Sequence, residues 1–145
     1  MERILLATDG SASAEHALEI AVALANDTHS ALDIVSVRPR HIAGRAGSGG
    51  PINDLEAHGG AERVLEAAVA RSAKLGQAAT PHALHGDPVE EIELLAGTLG
   101  ADLIVVGSRG HGTIVGTLLG SVSRSLATTS TIPVTVVREA ASVGG

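Results

Sequence analysis

Five short segments typical of strands alternate along the chain with longer segments of helical periodicity, and this alternation limits the possible folds more than any other feature. The strand segments are residues 4–7, 32–37, 79–85, 103–106 and 133–137. Strands joined through helices pair in parallel, so this order predicts a parallel sheet with helices on both faces. Because 145 residues suit a single domain, we expect one α/β domain over residues 1–139 and a flexible tail at residues 140–145.

Helix-start and helix-stop signals separate the strands. Ser11 or Ser13 can cap the first helix, and the polar stretch at residues 26–30 is expected to end it. Asp87 and Pro88 mark the start of the third helix, since Asp is a favourable cap and Pro suits the first helical position. The first and third helices therefore have well-defined starting points.

The second helix is predicted over residues 54–75, with Leu75 on its buried face and Gly76 at its end. It follows a glycine-rich stretch at residues 39–53, which has no acidic residue and is expected to be a loop. The basic residues in and beside this stretch are Arg38, Arg40, His41 and Arg45. Such a loop can close over an anionic ligand as a lid or be disordered, and its composition favours disorder.

The composition excludes several classes of function. Without cysteine, the chain has no disulfides, thiolate metal sites or cysteine nucleophiles. A formal net charge of −6, only 10 Lys and Arg residues and no Phe, Trp or Tyr argue against nucleic-acid binding, which relies on basic patches and aromatic stacking. The apolar runs are far shorter than the roughly 20 residues of a membrane helix, and the first is too short for a signal-peptide core. We therefore expect a cytoplasmic protein that contacts neither nucleic acid nor membrane.

A glycine-rich segment, residues 107–121, follows the fourth strand and enters the fourth helix. Backbone N–H groups and the positive end of a helix dipole at such a position suit an anion such as phosphate. Gly107, Gly110 and Gly120 would let a ligand approach the backbone closely, and Ser121 adds a hydroxyl donor. The same glycines are equally compatible with a tight strand exit and close helix–sheet packing. These residues alone leave both interpretations open.

Asp9 follows the first strand, at the carboxyl ends of the strands, where ligands of such folds bind. Its carboxylate could meet a ligand directly or through Mg²⁺. Asp9, Gly10 and Ser11 are also typical of a turn followed by a helix cap. The position alone favours the turn and leaves ligand binding open.

The spacing Gly107-x2-Gly110-x9-Gly120-Ser121 matches the pattern of ATP-binding universal stress proteins at every defined position. The chain resembles that family elsewhere too, in the opening ILLATDGS, Val37 at the end of the second strand, Gly86-Asp87-Pro88 and Ile132-Pro133-Val134. Ala7 stands where some ATP-binding relatives carry proline. The resemblance covers nearly the whole chain. It implies a Rossmann-like, open five-stranded parallel sheet in the order 3-2-1-4-5, similar to the adenine nucleotide alpha hydrolases.

The resemblance also implies a ligand and its contacts. ATP, or ADP or AMP, would bind with the backbone of Asp9 and Val37 bracketing the adenine and Gly107 beside the ribose. Asp9 would also approach a Mg²⁺ bound to the phosphates. The residues around the phosphates would be Gly110, Gly120 and Ser121, with a further backbone N–H from Val122. None of these contacts needs an aromatic ring.

Charged and histidine side chains near the same segment have more than one interpretation. Arg109 can pair with phosphate, pair with an acid across a dimer, or remain a solvated charge. His111 could contact phosphate, but a surface histidine is the simpler interpretation. His82 and His85 are expected on opposite faces of a strand, which makes them a poor metal pair.

The function predicted from these residues and the resemblance is that of a nucleotide-binding sensor or regulator of the stress response. The alternative is a slow or partner-dependent ATPase. Hydrolysis needs a group that orients water and positive charge on the transferred phosphoryl group, and the glycine-rich segment has no Walker lysine. No residue is therefore assigned a catalytic role, although weak hydrolysis stays open.

Two strands are predicted at the edges of the sheet. Residues 79–85 are polar enough for an edge, and Pro133 suits the start of an edge strand. Val134 and Val136 alternate with Thr135, and an apolar edge invites pairing with a second copy. In the resembled family this strand forms the dimer, which implies a homodimer through residues 133–137.

Overall fold

The computed structural model of the protein describes residues 1–38, 50–108 and 120–139, with residues 50–59 described only by their helical backbone. Within them, strands and helices alternate in the order β1 (Arg3–Ala7), α1 (Ala12–Thr28), β2 (Ala31–Arg38), α2 (Gly50–Lys74), β3 (Ala79–His85), α3 (Pro88–Leu99), β4 (Leu103–Gly107), α4 (Ser121–Thr129) and β5 (Val134–Val137). All strand pairs are parallel, and the sheet has the order β3-β2-β1-β4-β5. The predicted α/β architecture and strand order are confirmed.

The hydrophobic core lies on both faces of the sheet. Helices α1 and α2 pack against Ile4 and Leu6 of β1, whereas α3 and α4 pack against Leu5. Successive side chains of a strand point to opposite faces, so a strand covered on both faces is predominantly apolar. Leu5 and Ile104, at the centre of the sheet, are 0% exposed. Burying each such side chain contributes about 1.5–3 kcal/mol.

The end of α1 lies later than predicted. The helix includes residues 26–28 of the polar stretch that was expected to break it. The hydroxyl of Thr28 donates to the Leu24 carbonyl at 2.7 Å, which accommodates a polar side chain in the last turn. The helix ends where His29 takes a left-handed conformation with a φ of 56°. The helix therefore ends through a left-handed backbone conformation, which is uncommon outside glycine but commoner in histidine than in most other residues.

The start of α2 also differs from the prediction. The helix begins at Gly50, so residues 50–53, the last four of the predicted loop, are helical. Pro51 is compatible with this start, because the first turn of a helix has no intrahelical partner for the N–H that proline lacks. The remainder of the predicted loop, residues 39–49, lies outside the described residues.

The prediction that Leu75 is buried is wrong. The helix ends at Lys74, and the chain then turns at Gly76, which has a φ of +95°. Leu75 therefore leaves the helical spacing of the buried face, and its side chain is 43% exposed. The predicted tail at residues 140–145 lies outside the described part of the chain.

Both edges of the sheet are the ones predicted, β3 and β5. On β3, the N–H of Gly86 donates to the Arg38 carbonyl of β2. Alternate residues of a strand direct their N–H and C=O groups to opposite sides, so the nitrogen of Pro81 faces away from β2. Proline at this position costs no hydrogen bond of the sheet.

One acidic side chain, Asp33, is buried within β2 and is 1% exposed. Its Oδ2 lies 2.5 Å from Nη1 of Arg3, and its Oδ1 lies 2.8 Å from Nε2 of His82. A buried carboxylate is tolerated when partners replace its hydration. His82 is thus a neighbour of an acid in the sheet, an arrangement that the sequence pattern did not predict.

Asp102 ties the beginning of β4 to the beginning of β1. Its Oδ2 accepts hydrogen bonds from the N–H groups of Glu2 at 2.7 Å and Arg3 at 3.0 Å. These backbone donors, Glu2 first and Arg3 second, hold the pKa of the Asp102 carboxyl below its ordinary value of 3.8. Because the folded pKa is lowered, the ionised side chain stabilises the fold above that value and loses this contribution as pH falls through the folded pKa.

We expect Asp102→Asn to be less stable than the wild type at neutral pH, with the difference shrinking as pH falls below 3.8. Urea unfolding midpoints of both proteins across this range provide the measurement. Asp27→Asn, which changes an exposed acid on α1, serves as the control. A stability difference that is independent of pH would contradict the role assigned to the charge.

A second tertiary contact requires glycine at position 107, the last residue of β4. A Cβ atom at this position would lie 2.6 Å from Ser13 Oγ, 2.7 Å from Ala14 N and 2.8 Å from Ser13 C. Two of these three atoms belong to the backbone of α1, so they cannot rotate away. Only glycine allows the start of α1 to approach the end of β4 this closely.

Gly107→Ala is expected to lower the free energy of unfolding by roughly 1–3 kcal/mol, because the methyl group forces α1 away from the sheet. Urea denaturation measures this change. Gly97→Ala is the matched control: nothing lies within 4 Å of a Cβ at this helical position, so alanine should stabilise α3 by about 0.5–1 kcal/mol. Equal stability of Gly107→Ala and wild type would refute the contact.

Candidate functional site

The strand order reverses between β1 and β4, since the chain places β2 on one side of β1 and later crosses to place β4 on the other. In open parallel sheets this reversal leaves a crevice beyond the carboxyl ends of the strands, and ligands bind there. The described segments that border it are the turn after β1, the end of β2, the end of β4 and the start of α4. These segments contain the predicted binding residues Asp9, Val37, Gly107, Gly120, Ser121 and Val122.

The turn after β1 holds Asp9 next to the start of α1. The N–H of Ser11 donates to Asp9 Oδ1 at 2.9 Å, and the Ser11 hydroxyl accepts from the Ala14 N–H at 3.3 Å. Gly10 has a φ of +81°, and a Cβ there would lie 3.1 Å from a methyl group of Val64. The turn-and-cap interpretation is thus realised, with Ser11 as the cap. Asp9 itself stays exposed at the mouth of the crevice.

Val37 lies at the carboxyl end of β2, opposite Leu84 of β3. Its half-buried side chain packs against the core on the α3 side of the sheet. The side chain is therefore used in packing, and what Val37 can offer a ligand is its backbone and an aliphatic surface.

Gly107 reaches the crevice from β4, but its contact with Ser13 and Ala14 gives it a packing role as well. The two interpretations of this glycine are compatible, because close packing of α1 against β4 also brings the turn after β1 to the end of β4. In this way the contact places Asp9 and Gly107 on the same side of the sheet.

Two serines that the sequence analysis missed join the two ends of the β4–α4 connection. The buried Ser108 donates its N–H to the Val137 carbonyl at 2.7 Å and accepts at its carbonyl from the N–H of Gly120 at 2.5 Å. The Ser123 hydroxyl also donates to the Ser108 carbonyl, at 2.9 Å. The chain therefore leaves the sheet at Ser108 and returns beside it at Gly120. A helical serine commonly bonds a carbonyl three or four residues earlier, as Ser123 does with Gly120 at 3.1 Å, but this local signal does not indicate the bond to Ser108.

The start of α4 differs from the starts of α1 and α3. Those two helices are capped by Ser11 and Asp87 and carry acidic residues in their first turns. At α4 the cap position is Gly120, which has no side chain to accept a hydrogen bond, and the first turn has no acidic residue. Among the described residues, no side chain therefore caps its N–H groups or balances the positive end of its dipole.

The first-turn residues of α4 divide between solvent and core. Ser121 is exposed, whereas the side chain of Val122 packs in the core on the α3 side of the sheet. Val122 thus anchors the helix by its side chain and can offer only its backbone N–H to a ligand. Arg109, Gly110 and His111 lie outside the described residues.

The described side chains, those of residues 1–38, 60–108 and 120–139, include no group of three or more Asp, Glu or His that could hold a metal ion. No helix in the described part of the chain has the length and hydropathy to cross a membrane.

Solved structures with this fold include nucleotide complexes. A universal stress protein in complex with cAMP is 28% identical, with a TM-score of 0.74, and the match covers 96% of this chain and 98% of that one. A universal stress protein from Archaeoglobus fulgidus in complex with dAMP is 25% identical, with a TM-score of 0.72, and the match covers 94% and 98%.

Sequence comparison agrees over the same length. Universal stress protein YxiE of Bacillus subtilis is 33% identical over 147 residues, which cover 94% of this chain and 98% of that protein. The model of the universal stress protein family matches residues 1–138. The chain therefore belongs to the universal stress protein family.

Proposed function

We propose that the protein binds an adenine nucleotide, ATP foremost, in the crevice at the carboxyl ends of β1, β2 and β4, and that it acts in the cytoplasm as a regulator of the stress response. The start of α4 carries this proposal. Its uncapped N–H groups, with no acidic residue in the first turn, suit a phosphate. Relatives of similar fold are solved with cAMP and dAMP, which supports an adenine nucleotide.

In this proposal the base and the sugar lie over β1, β2 and β4. The backbone groups of Asp9 and Val37 bracket the adenine, and the aliphatic side chain of Val37 replaces the aromatic ring that the chain lacks. Gly107 lies beside the ribose. The hydrogen bonds in this arrangement use backbone groups, so the specificity for adenine comes from the direction of N–H and C=O groups.

The phosphates extend towards α4. Gly120 and Ser121 contact them from the start of the helix, with the Val122 N–H in the first turn. Arg109 and Gly110 complete the contacts from the β4–α4 connection. The hydrogen bonds of Ser108 with Gly120 and Ser123 support this arrangement, because they hold the start of α4 at the end of β4.

Mg²⁺ would accompany the phosphates, with Asp9 near it. Ser11 already donates to Oδ1 of this exposed carboxylate, which suits an indirect contact through a water molecule of the ion. The ion would neutralise phosphate charge beside Asp9. Nucleotide affinity should then fall when Mg²⁺ is removed with a chelator.

Gly120→Val should weaken ATP binding by more than about tenfold, because a β-branched side chain at the cap of α4 occupies the place of a phosphate. Native mass spectrometry of freshly purified protein, followed by titration with ATP, ADP and AMP in the presence of Mg²⁺, measures the effect. Ala127→Val is the matched control, since it adds a valine at an exposed position of the same helix.

Thermal unfolding of both variants separates loss of the site from loss of the fold. Wild-type affinity in Gly120→Val would refute the placement of the phosphates. No binding of any adenine nucleotide by the wild type at roughly millimolar concentration would refute the proposed function itself.

The same titration tests the alternative of a slow or partner-dependent ATPase. That alternative predicts that ADP accumulates with the wild type faster than with Gly120→Val. If the protein is a regulator that does not hydrolyse ATP, the ATP should stay intact over the incubation.

We further propose that the protein forms a homodimer through residues 133–137. The carbonyls of Pro133 and Val137 point to β4, where they accept from Ile104 and Ser108. By alternation, the N–H groups of Val134 and Val136 face away from the sheet. This edge thus offers backbone donors to a second copy.

Val136→Pro is expected to shift the protein from dimer to monomer, because it removes an outward N–H without breaking a hydrogen bond between β4 and β5. Light scattering coupled to size-exclusion chromatography reads the mass. Val136→Ala, which shortens the side chain and keeps the N–H, should remain dimeric. An unchanged dimer in Val136→Pro would place the interface elsewhere.

A further inference from the structure

A groove of about 480 Å³ lies between α2 and the edge strand β3, bordered by Glu62, Leu65, Glu66, Val69, Ala70, Pro81 and Ala83. Its floor is apolar. Leu65 is 5% exposed and Val69 is half-buried. This volume lies within the range of roughly 300–1,000 Å³ found for ligand sites. The groove borders an edge of the sheet different from β5.

The rim of the groove is acidic. Glu62, Glu66 and Ala70 follow each other at four-residue spacing, so they form one exposed row along α2. Leu65 and Val69 form a second, deeper row. Within the described residues, neither glutamate forms an ion pair or a side-chain hydrogen bond. Two carboxylates thus stand one helical turn apart above an apolar floor.

The other wall of the groove presents backbone groups. Because the N–H of Gly86 points to β2, the N–H and C=O groups of Ala83 point away from the sheet, as does the C=O of Pro81. The side chains of Pro81 and Ala83 lie on the α2 side, where they border the groove. An added strand would therefore find hydrogen-bond partners on β3 and, above them, apolar and acidic side chains of α2.

We propose that this groove binds an extended segment of a partner protein whose apolar and basic side chains alternate on one face, added as a strand along β3. The apolar side chains would contact Val69 and Pro81. The basic ones would lay their methylene stems on the same floor and direct their charges to Glu62 and Glu66, since long cations combine both contacts. Strand addition supplies affinity through the main chain and specificity through these alternate side chains.

The proposal is tested on the full chain with a fluorescein-labelled heptapeptide, Leu-Thr-Arg-Thr-Leu-Thr-Arg, read by anisotropy. We expect saturable binding that weakens as salt concentration rises. The charge-reversed peptide Leu-Thr-Glu-Thr-Leu-Thr-Glu should not bind. Failure of the basic peptide to bind, or equal binding of both peptides, would overturn the proposal.

Variants then locate the binding. Glu62→Lys/Glu66→Lys should lower the affinity for the basic peptide by at least about tenfold. The same variant should bind the acidic peptide. The matched control Asp27→Lys/Glu90→Lys, which changes exposed acids on α1 and α3, should leave the affinity for the basic peptide unchanged. Equal loss in both double variants would show a net-charge effect only and overturn the proposal.

The backbone contribution has its own pair of variants. Ala83→Pro removes the outward N–H and should weaken peptide binding, whereas Ala83→Ser keeps that N–H and should bind as the wild type does. Light scattering tests whether a second copy of this chain occupies the groove instead. If the wild type self-associates and Glu62→Lys/Glu66→Lys abolishes that self-association, the groove belongs to a second copy and the proposal is overturned. Nucleotide titration of the variants tests the crevice separately, so failure at one site is not confused with failure at the other.

Discussion

The parallel pairing of β1 with β4 is the constraint on which the rest of the fold depends. Ile4 pairs with Leu103 and Leu6 with Val105, in strands that are covered on both faces. This pair marks the point where the strand order reverses, so it fixes both the central core and the position of the crevice. A shift of one residue in this register would exchange the side chains between the two halves of the core.

The candidate site depends on the same pair of strands, because it lies at their carboxyl ends. Gly107 lets the start of α1 lie against the end of β4, and Ser108 brings back the start of α4. Two helix starts therefore approach the crevice, but they are not equivalent, because α1 has its own serine cap and α4 has none. The difference in capping separates a helix start that is satisfied internally from one that can receive an anion.

Local signals sufficed for the alternation of strands and helices and for the caps at Ser11 and Asp87, since each involves neighbouring residues. The strand order was predicted from the family resemblance. Contacts between distant residues were not predictable. Asp102 and Glu2, joined by a hydrogen bond, are 100 residues apart, and the contact of Gly107 with Ser13 depends on how two elements pack. The sequence pattern therefore indicated glycine at the site without distinguishing a ligand from a packing partner.

Proline at position 81 has a consequence for assembly. A sheet with two open edges could join the β5 edge of one molecule to the β3 edge of the next, and such head-to-tail contacts do not close on themselves. The result would be a continuous sheet that grows into a filament. Pro81 removes one outward donor from the β3 edge, so the two edges are not equally receptive. This asymmetry works against head-to-tail growth of the sheet.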